Sequence, residues 1–152
     1  MISIKQYDKK HLRIVTELAM EFYNKNQYTR GKGSLNPMSF AALMDNSNND
    51  DPDVFAKVFV DDKEGTVVGF FVGLAFDNRL FNLAIAQEQG FYSRKPIGLK
   101  KSREVVEAFE EWAADKGADF TVLSALNGTR AGKLFERFGY EASETAYSKA
   151  LG

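Results

Sequence analysis

Residues 81–126, FNLAIAQEQGFYSRKPIGLKKSREVVEAFEEWAADKGADFTVLSAL, run strand, basic loop, amphipathic helix, strand, and that order decides the architecture. Phe81 to Tyr92 reads as a strand with Phe81, Leu83 and Ile85 on one face. Val105, Val106, Phe109, Trp112 and Ala113 recur at helical spacing to about Lys116, and Gly117 supplies the C-terminal cap. Trp112 on that stripe is read as core. Phe120 to Leu126 is the next strand. Two strands joined through one helix lie parallel with a right-handed crossover. Where such strands diverge, a crevice opens at their carboxyl ends, the usual ligand position of an α/β sheet.

Upstream, Ile2, Ile4 and Gln6 alternate as a first strand, and Asp8 caps a helix reaching about Asn24, with Val15, Leu18, Ala19 and Phe22 on its inner face. The stretch NKNQYTRGKGSLN, residues 24–36, has neither period and is expected to be a mobile loop. Asn36 and Pro37 read as cap and first turn of a second helix, with Phe40, Leu43 and Met44 inward. Val54 to Val60 and Thr66 to Phe76 are β-rich runs joined by DDKEG, a connection suited to a hairpin. Downstream, Asn127 can cap a last helix with Ala131, Leu134, Phe135 and Phe138 inward, stopped by Gly139. Tyr140 to Leu151 is short and β-prone, with room for one edge strand or a cramped pair. The fold class is therefore α/β, an antiparallel meander feeding one parallel strand-helix-strand crossover.

A chain of 152 residues has the length of one domain. Twenty basic against 21 acidic residues argue against a general nucleic-acid or membrane-surface binder. The absence of cysteine excludes disulfides and thiolate chemistry, and the lone His11, at the start of a surface helix, leaves no basis for a histidine metal site. Neither a secretory leader nor an apolar run of membrane-spanning length is visible, so the chain reads as cytoplasmic.

Charge is nevertheless concentrated. Residues 93–103, SRKPIGLKKSR, hold five cationic side chains and no acid, and they lead directly into the amphipathic helix. A helix start offers unpaired amide hydrogens and the positive end of the macrodipole, which together favour an anion such as a phosphate. The segment from Asp45 to Glu64 has the opposite bias, seven acids against two lysines. If residues 46–53 border the crevice, they would draw a cationic acceptor towards it.

These elements, and the residues of the second half, resemble the GCN5-related N-acetyltransferase (GNAT) superfamily, including its small phage-encoded members. IGLKKSREVVEAFEEWAADKGA, residues 97–118, is similar to the family's acyl-CoA segment, with Gly98 on its first glycine, Val105 and Val106 on its leucine pair and Gly117–Ala118 at its end. RAGKLFERFGYEASETAYSKAL, residues 130–151, resembles the family's closing segment. Ile97, Lys100 and Ser102 depart from the arginine and glycines of the fingerprint, and Phe135 stands where many members carry a proton-donating tyrosine. A second register, setting GFYSRKPIG on the motif, keeps Tyr92 and Gly98 but needs four extra residues, so the gapless one is preferred.

The resemblance implies a mixed, mostly antiparallel sheet with helices on both faces, and transfer of an acetyl group from acetyl-CoA to a primary amine of a small molecule or a protein lysine, without a metal. Under it, the coenzyme would be held by Phe91, Tyr92 and Ser93 on the strand end, by Ile97, Gly98, Leu99, Lys100, Lys101, Ser102 and Arg103 at the helix start, and by Asn127 and Phe135 further on. Glu88, the only acid on the strand leading to the loop, is the candidate general base, and Tyr140, Tyr147 and Ser124 are candidate proton donors. Two other readings stay open: a GNAT-fold binding or structural protein, such as a phage component, and a loop that grips nucleic-acid phosphates. A phage source would put the chain in the host cytoplasm or the virion. Pairing of two chains through edge strands is also left open.

Overall fold

The computed structural model describes residues 1–25, 33–78, 80–125 and 129–151. Its centre is a five-stranded sheet in chain order: β1 (Ile2–Gln6), β2 (Val54–Asp61), β3 (Thr66–Asn78), β4 (Leu83–Ser93) and β5 (Phe120–Val122). Neighbours among the first four strands are antiparallel, and β5 runs parallel to β4, pairing Ile85 with Phe120 and Gln87 with Val122. The crossover between them is α3 (Gly98–Asp115), as the amphipathic spacing requires.

Two cores follow from the alternation of side chains across the sheet. One face, with Val58, Phe70 and Val72, is covered by α1 (Leu12–Lys25) and α2 (Pro37–Asn46), which contribute Val15, Leu18, Ala19 and Met44. Phe22, Phe40 and Leu43 pack at the margin of this core. The other face carries Phe55, Phe59 and Phe71 and receives Val105, Val106, Phe109 and Ala113 of α3. Phe109 lies 5.1 Å from the Phe71 ring and 5.9 Å from Trp112, with which it stacks. Truncating so enclosed a ring to alanine costs about 3–5 kcal/mol.

Local signals act where the residue chemistry demands them. Asp8 and His11 form a reciprocal capping box around the short 3-10 turn that precedes α1, the Asp8 amide donating to His11 Nδ1 at 3.0 Å. Asn36 Oδ1 accepts from the amides of Met38 and Ser39, both at 3.1 Å, and Pro37 opens α2. Gly117 takes φ +78° after α3, a left-handed value that glycine tolerates without strain.

Four expectations change. Phe81 lies in the turn before β4 and is exposed rather than part of that strand. β5 stops at Val122 instead of Leu126, because β4 offers it only three ladder positions before the strands separate. The last helix, α4 (Arg130–Arg137), has Thr129 at its N-cap position, while Asn127 lies outside the described residues. Residues 141–151 are exposed and form no strand, pairing with neither edge of the described sheet, so their β-propensity goes unused. Residues 26–32 of the expected mobile loop also lie outside the described residues.

Candidate active site

The site begins with a bulge. Val72 pairs with Gly90 and Gly73 with Glu88, so Gln89 is an extra residue in β4. Up to that point Ala86 and Glu88 face α3; after it Phe91 faces α3, while Gly90 and Tyr92 face α1. The bulge thus turns the alternation over and bends β4 where β5 leaves it. From Glu88 to Ser93, β4 runs on without a ladder partner on its β5 side among the described residues.

Glu88 sits at this fork, only 7% exposed, and accepts the backbone N–H of Ser124 at 3.3 Å. Burial pushes its carboxyl up to about 7, a shift that the Ser124 amide partly offsets. The group can therefore take up and release a proton near neutrality. The Ser124 residue itself is exposed.

Beyond the fork the chain turns into α3. Ile97 occupies the N-cap position and makes no side-chain cap, so the first amides of the helix keep their donors. Gly98 stands at φ +84° with open space where a Cβ would project. Leu99 and Lys100 are exposed, Lys101 is half-buried and Ser102 is buried under the first turn. Lys100 and Arg103 line an open groove along the outer face of α3 that does not include Glu88.

The cations of residues 93–103 are mostly committed to partners. Arg94 Nε donates to Glu21 at 3.0 Å, Lys95 reaches Asp61 at 2.6 Å and Glu64 at 3.4 Å, and Lys101 pairs with Glu104 at 3.1 Å. Arg103 lies over the Phe138 ring, 5.0 Å from its centroid. Among the described residues, Lys100 and Arg103 are left without an ion pair. On the α1 side, Tyr92 donates to Glu21 at 3.1 Å and accepts from Lys25 at 3.0 Å.

Of the remaining candidates, Tyr140 is tied down: its hydroxyl donates to Glu110 at 3.1 Å and lies 2.8 Å from Thr121 Oγ1. Burial above all, with Glu110 beside it, pushes its pKa up to about 12 despite the Thr121 contact. Phe135 is buried with its ring 6.4 Å from that of Tyr140. Tyr147 is 94% exposed on the C-terminal segment. The acidic loop is held at the opposite end of α3, where Lys116 pairs with Asp51 at 2.9 Å and Asp53 at 3.2 Å. Eighteen helical residues span about 27 Å, so this loop does not border the helix start. Sequence reasoning missed Gln89, Asp61 and Glu21; only Gly90, a residue common at bulges, hinted at the first.

Neither a protein-family model nor a curated protein matches the chain in sequence. Solved structures do match in shape. A mutant of the Bacillus halodurans protein BH1408 aligns with a TM-score of 0.75 at 16% identity, covering 98% of this chain and 99% of that one. Glucosamine-6-phosphate N-acetyltransferase from Arabidopsis thaliana aligns with a TM-score of 0.71 at 12% identity over 100% and 99%. Ribosomal-protein-alanine N-acetyltransferase from Brucella melitensis biovar Abortus 2308 gives 0.67 at 15% identity over 99% and 100%. No helix among the described residues is long and apolar enough to cross a membrane. With its meander, its bulged β4 and its single parallel crossover, the chain has the fold of the GCN5-related N-acetyltransferases.

Proposed function

We propose that this chain is an N-acetyltransferase that uses acetyl-CoA and a primary amine, carried by a small molecule or a protein. The observation that carries the reading is the fork itself: β4 outruns β5 and, with no ladder partner on its β5 side among the described residues, leads to a helix start whose amides no side chain caps. The residues present fit the coenzyme. Open space at Gly98 lets an anion approach the backbone, and Lys100 adds one uncommitted cation.

When bound, acetyl-CoA supplies an acyl group already activated as a thioester. Amides from Gly98 to Lys101 bind the diphosphate through hydrogen bonds and the helix dipole. Main-chain groups of Phe91, Tyr92 and Ser93 orient the coenzyme arm and offer an N–H to the carbonyl oxygen. Glu88 Oε accepts the proton that the amine must lose, directly or through water. Tyr140, held by Glu110 and Thr121, stays protonated and contributes position, so solvent supplies the proton to the departing thiolate as the N–C bond forms and the C–S bond breaks.

Isothermal titration with acetyl-CoA, followed by release of free thiol over a panel of amines, tests the reading. Binding with acceptor-dependent thiol is the expected result. The second reading, a binding protein without turnover, is favoured by Phe135 in place of a hydroxyl donor and predicts binding with no thiol release. The internal pairing of Arg94, Lys95 and Lys101 speaks against a nucleic-acid grip, which would show affinity falling steeply with salt and indifferent to the adenosine 3′-phosphate.

A further inference from the structure

Asp61 ends β2 and is 7% exposed, and its carboxylate accepts from Lys95 Nζ at 2.6 Å and from the amide of Lys63 at 3.0 Å. Its own carbonyl accepts the Gly65 amide at 2.7 Å, which fixes the β2–β3 turn around it. Lys95 is held at both ends. Its carbonyl accepts from Ser93 Oγ at 2.6 Å, and the neighbouring Arg94 amide donates to Val68 at 2.8 Å. Only Pro96 and Ile97 separate this anchored residue from Gly98, where the backbone swings to φ +84° and α3 begins.

The direction of the first α3 amides is therefore inherited from a hairpin more than thirty residues upstream. We propose that Asp61 and Lys95 are positioning residues for the anion site: the pair clamps the turn that aims the helix start, and Lys95 is not itself an anion ligand. This rests on the coenzyme reading of that site. A buried carboxylate that loses its ammonium partner is left with an uncompensated charge, so the turn should loosen whichever partner is removed.

The test compares wild type with Asp61→Asn, Lys95→Met, their double variant and Lys95→Arg, by titration with coenzyme A and by hydrogen exchange at the Arg94 amide, which donates to Val68. Asp61→Asn is isosteric and Lys95 is half-exposed, so both variants should fold. Each single change is expected to weaken coenzyme A about tenfold, and the double change no further, because the two residues act as one unit. Lys95→Arg should retain most of the affinity. Exchange of the Arg94 amide should rise about tenfold in both single variants while the interiors of β2 and β3 stay protected. If Lys95 were an anion ligand restrained by Asp61, Asp61→Asn would tighten coenzyme A while Lys95→Met weakened it, and that opposition would overturn the proposal. A wild type that takes up no coenzyme A would defeat the functional reading alone. The exchange arm would then decide the clamp, and unchanged protection of the Arg94 amide would overturn it.

Discussion

Beyond the last β4–β5 ladder pair, the backbone N–H of Ser124 donates to Glu88 Oε1 at 3.3 Å, so the departing strand is tied to a buried acid rather than to the β4 main chain. This contact supports the ionised form of Glu88 but does not outweigh its burial, and the carboxyl remains at about 7.

Stability should record that balance. The folded state binds the Glu88 proton more tightly than the unfolded chain, whose carboxyl titrates near 4.5. The penalty is absent below about pH 4.5, grows as pH rises through 7 and is constant above, reaching about 3 kcal/mol. Glu88→Gln should therefore gain on wild type in urea unfolding at pH 8 relative to pH 4.5. Parallel curves across that range would contradict the raised value.

Activity should move the other way with pH. A base of this kind works only when deprotonated, so kcat/KM should climb to a plateau above about pH 7. In Glu88→Gln the rate should fall about a hundredfold on the plateau and lose this inflection. An identical profile in the variant removes Glu88 from the proton path.

Gly98 separates backbone strain from anion binding. Nothing lies within 4 Å of a Cβ built there, so Gly98→Ala should cost only the left-handed backbone, about 1 kcal/mol in thermal or urea unfolding. Gly98→Asp adds a like charge and should reduce coenzyme A affinity by roughly a hundredfold with an unchanged circular dichroism spectrum. Full affinity in that variant would displace the anion site from α3.

Gly73 serves packing instead. A Cβ there would intrude on the Phe109 ring, so Gly73→Ala should destabilise by about 1–3 kcal/mol. Phe109→Leu in the same chain should cost less than the two single changes added together, as a double-mutant cycle would reveal.

What could be read from the chain was what neighbours in sequence decide. The spacing of Val105, Phe109 and Ala113 defines the inner face of α3, and Asn36–Pro37 marks the start of α2. The parallel crossover follows from that order of elements. What could not be read depends on residues distant in the chain. The Lys95–Asp61 and Arg94–Glu21 pairs span 34 and 73 positions, so a run that looks like free positive charge is largely neutralised in space. Gln89 carries no bulge signal of its own, and its conformation is dictated by how β3 and β4 meet. For Tyr140 to Leu151, propensity favoured a strand, but residues 141–151 lie exposed and pair with neither edge of the described sheet.

The brevity of β5 has a kinetic consequence. Strands β2, β3 and β4 zip through near neighbours, whereas Phe120 must find Ile85 across an entire helix and is rewarded by only three ladder positions. Strands β2 to β4 should accordingly assemble before β5 docks. By the same reasoning β5 detaches most cheaply from the finished protein, so the wedge beside Glu88 can widen and reclose while both aromatic cores stay shut.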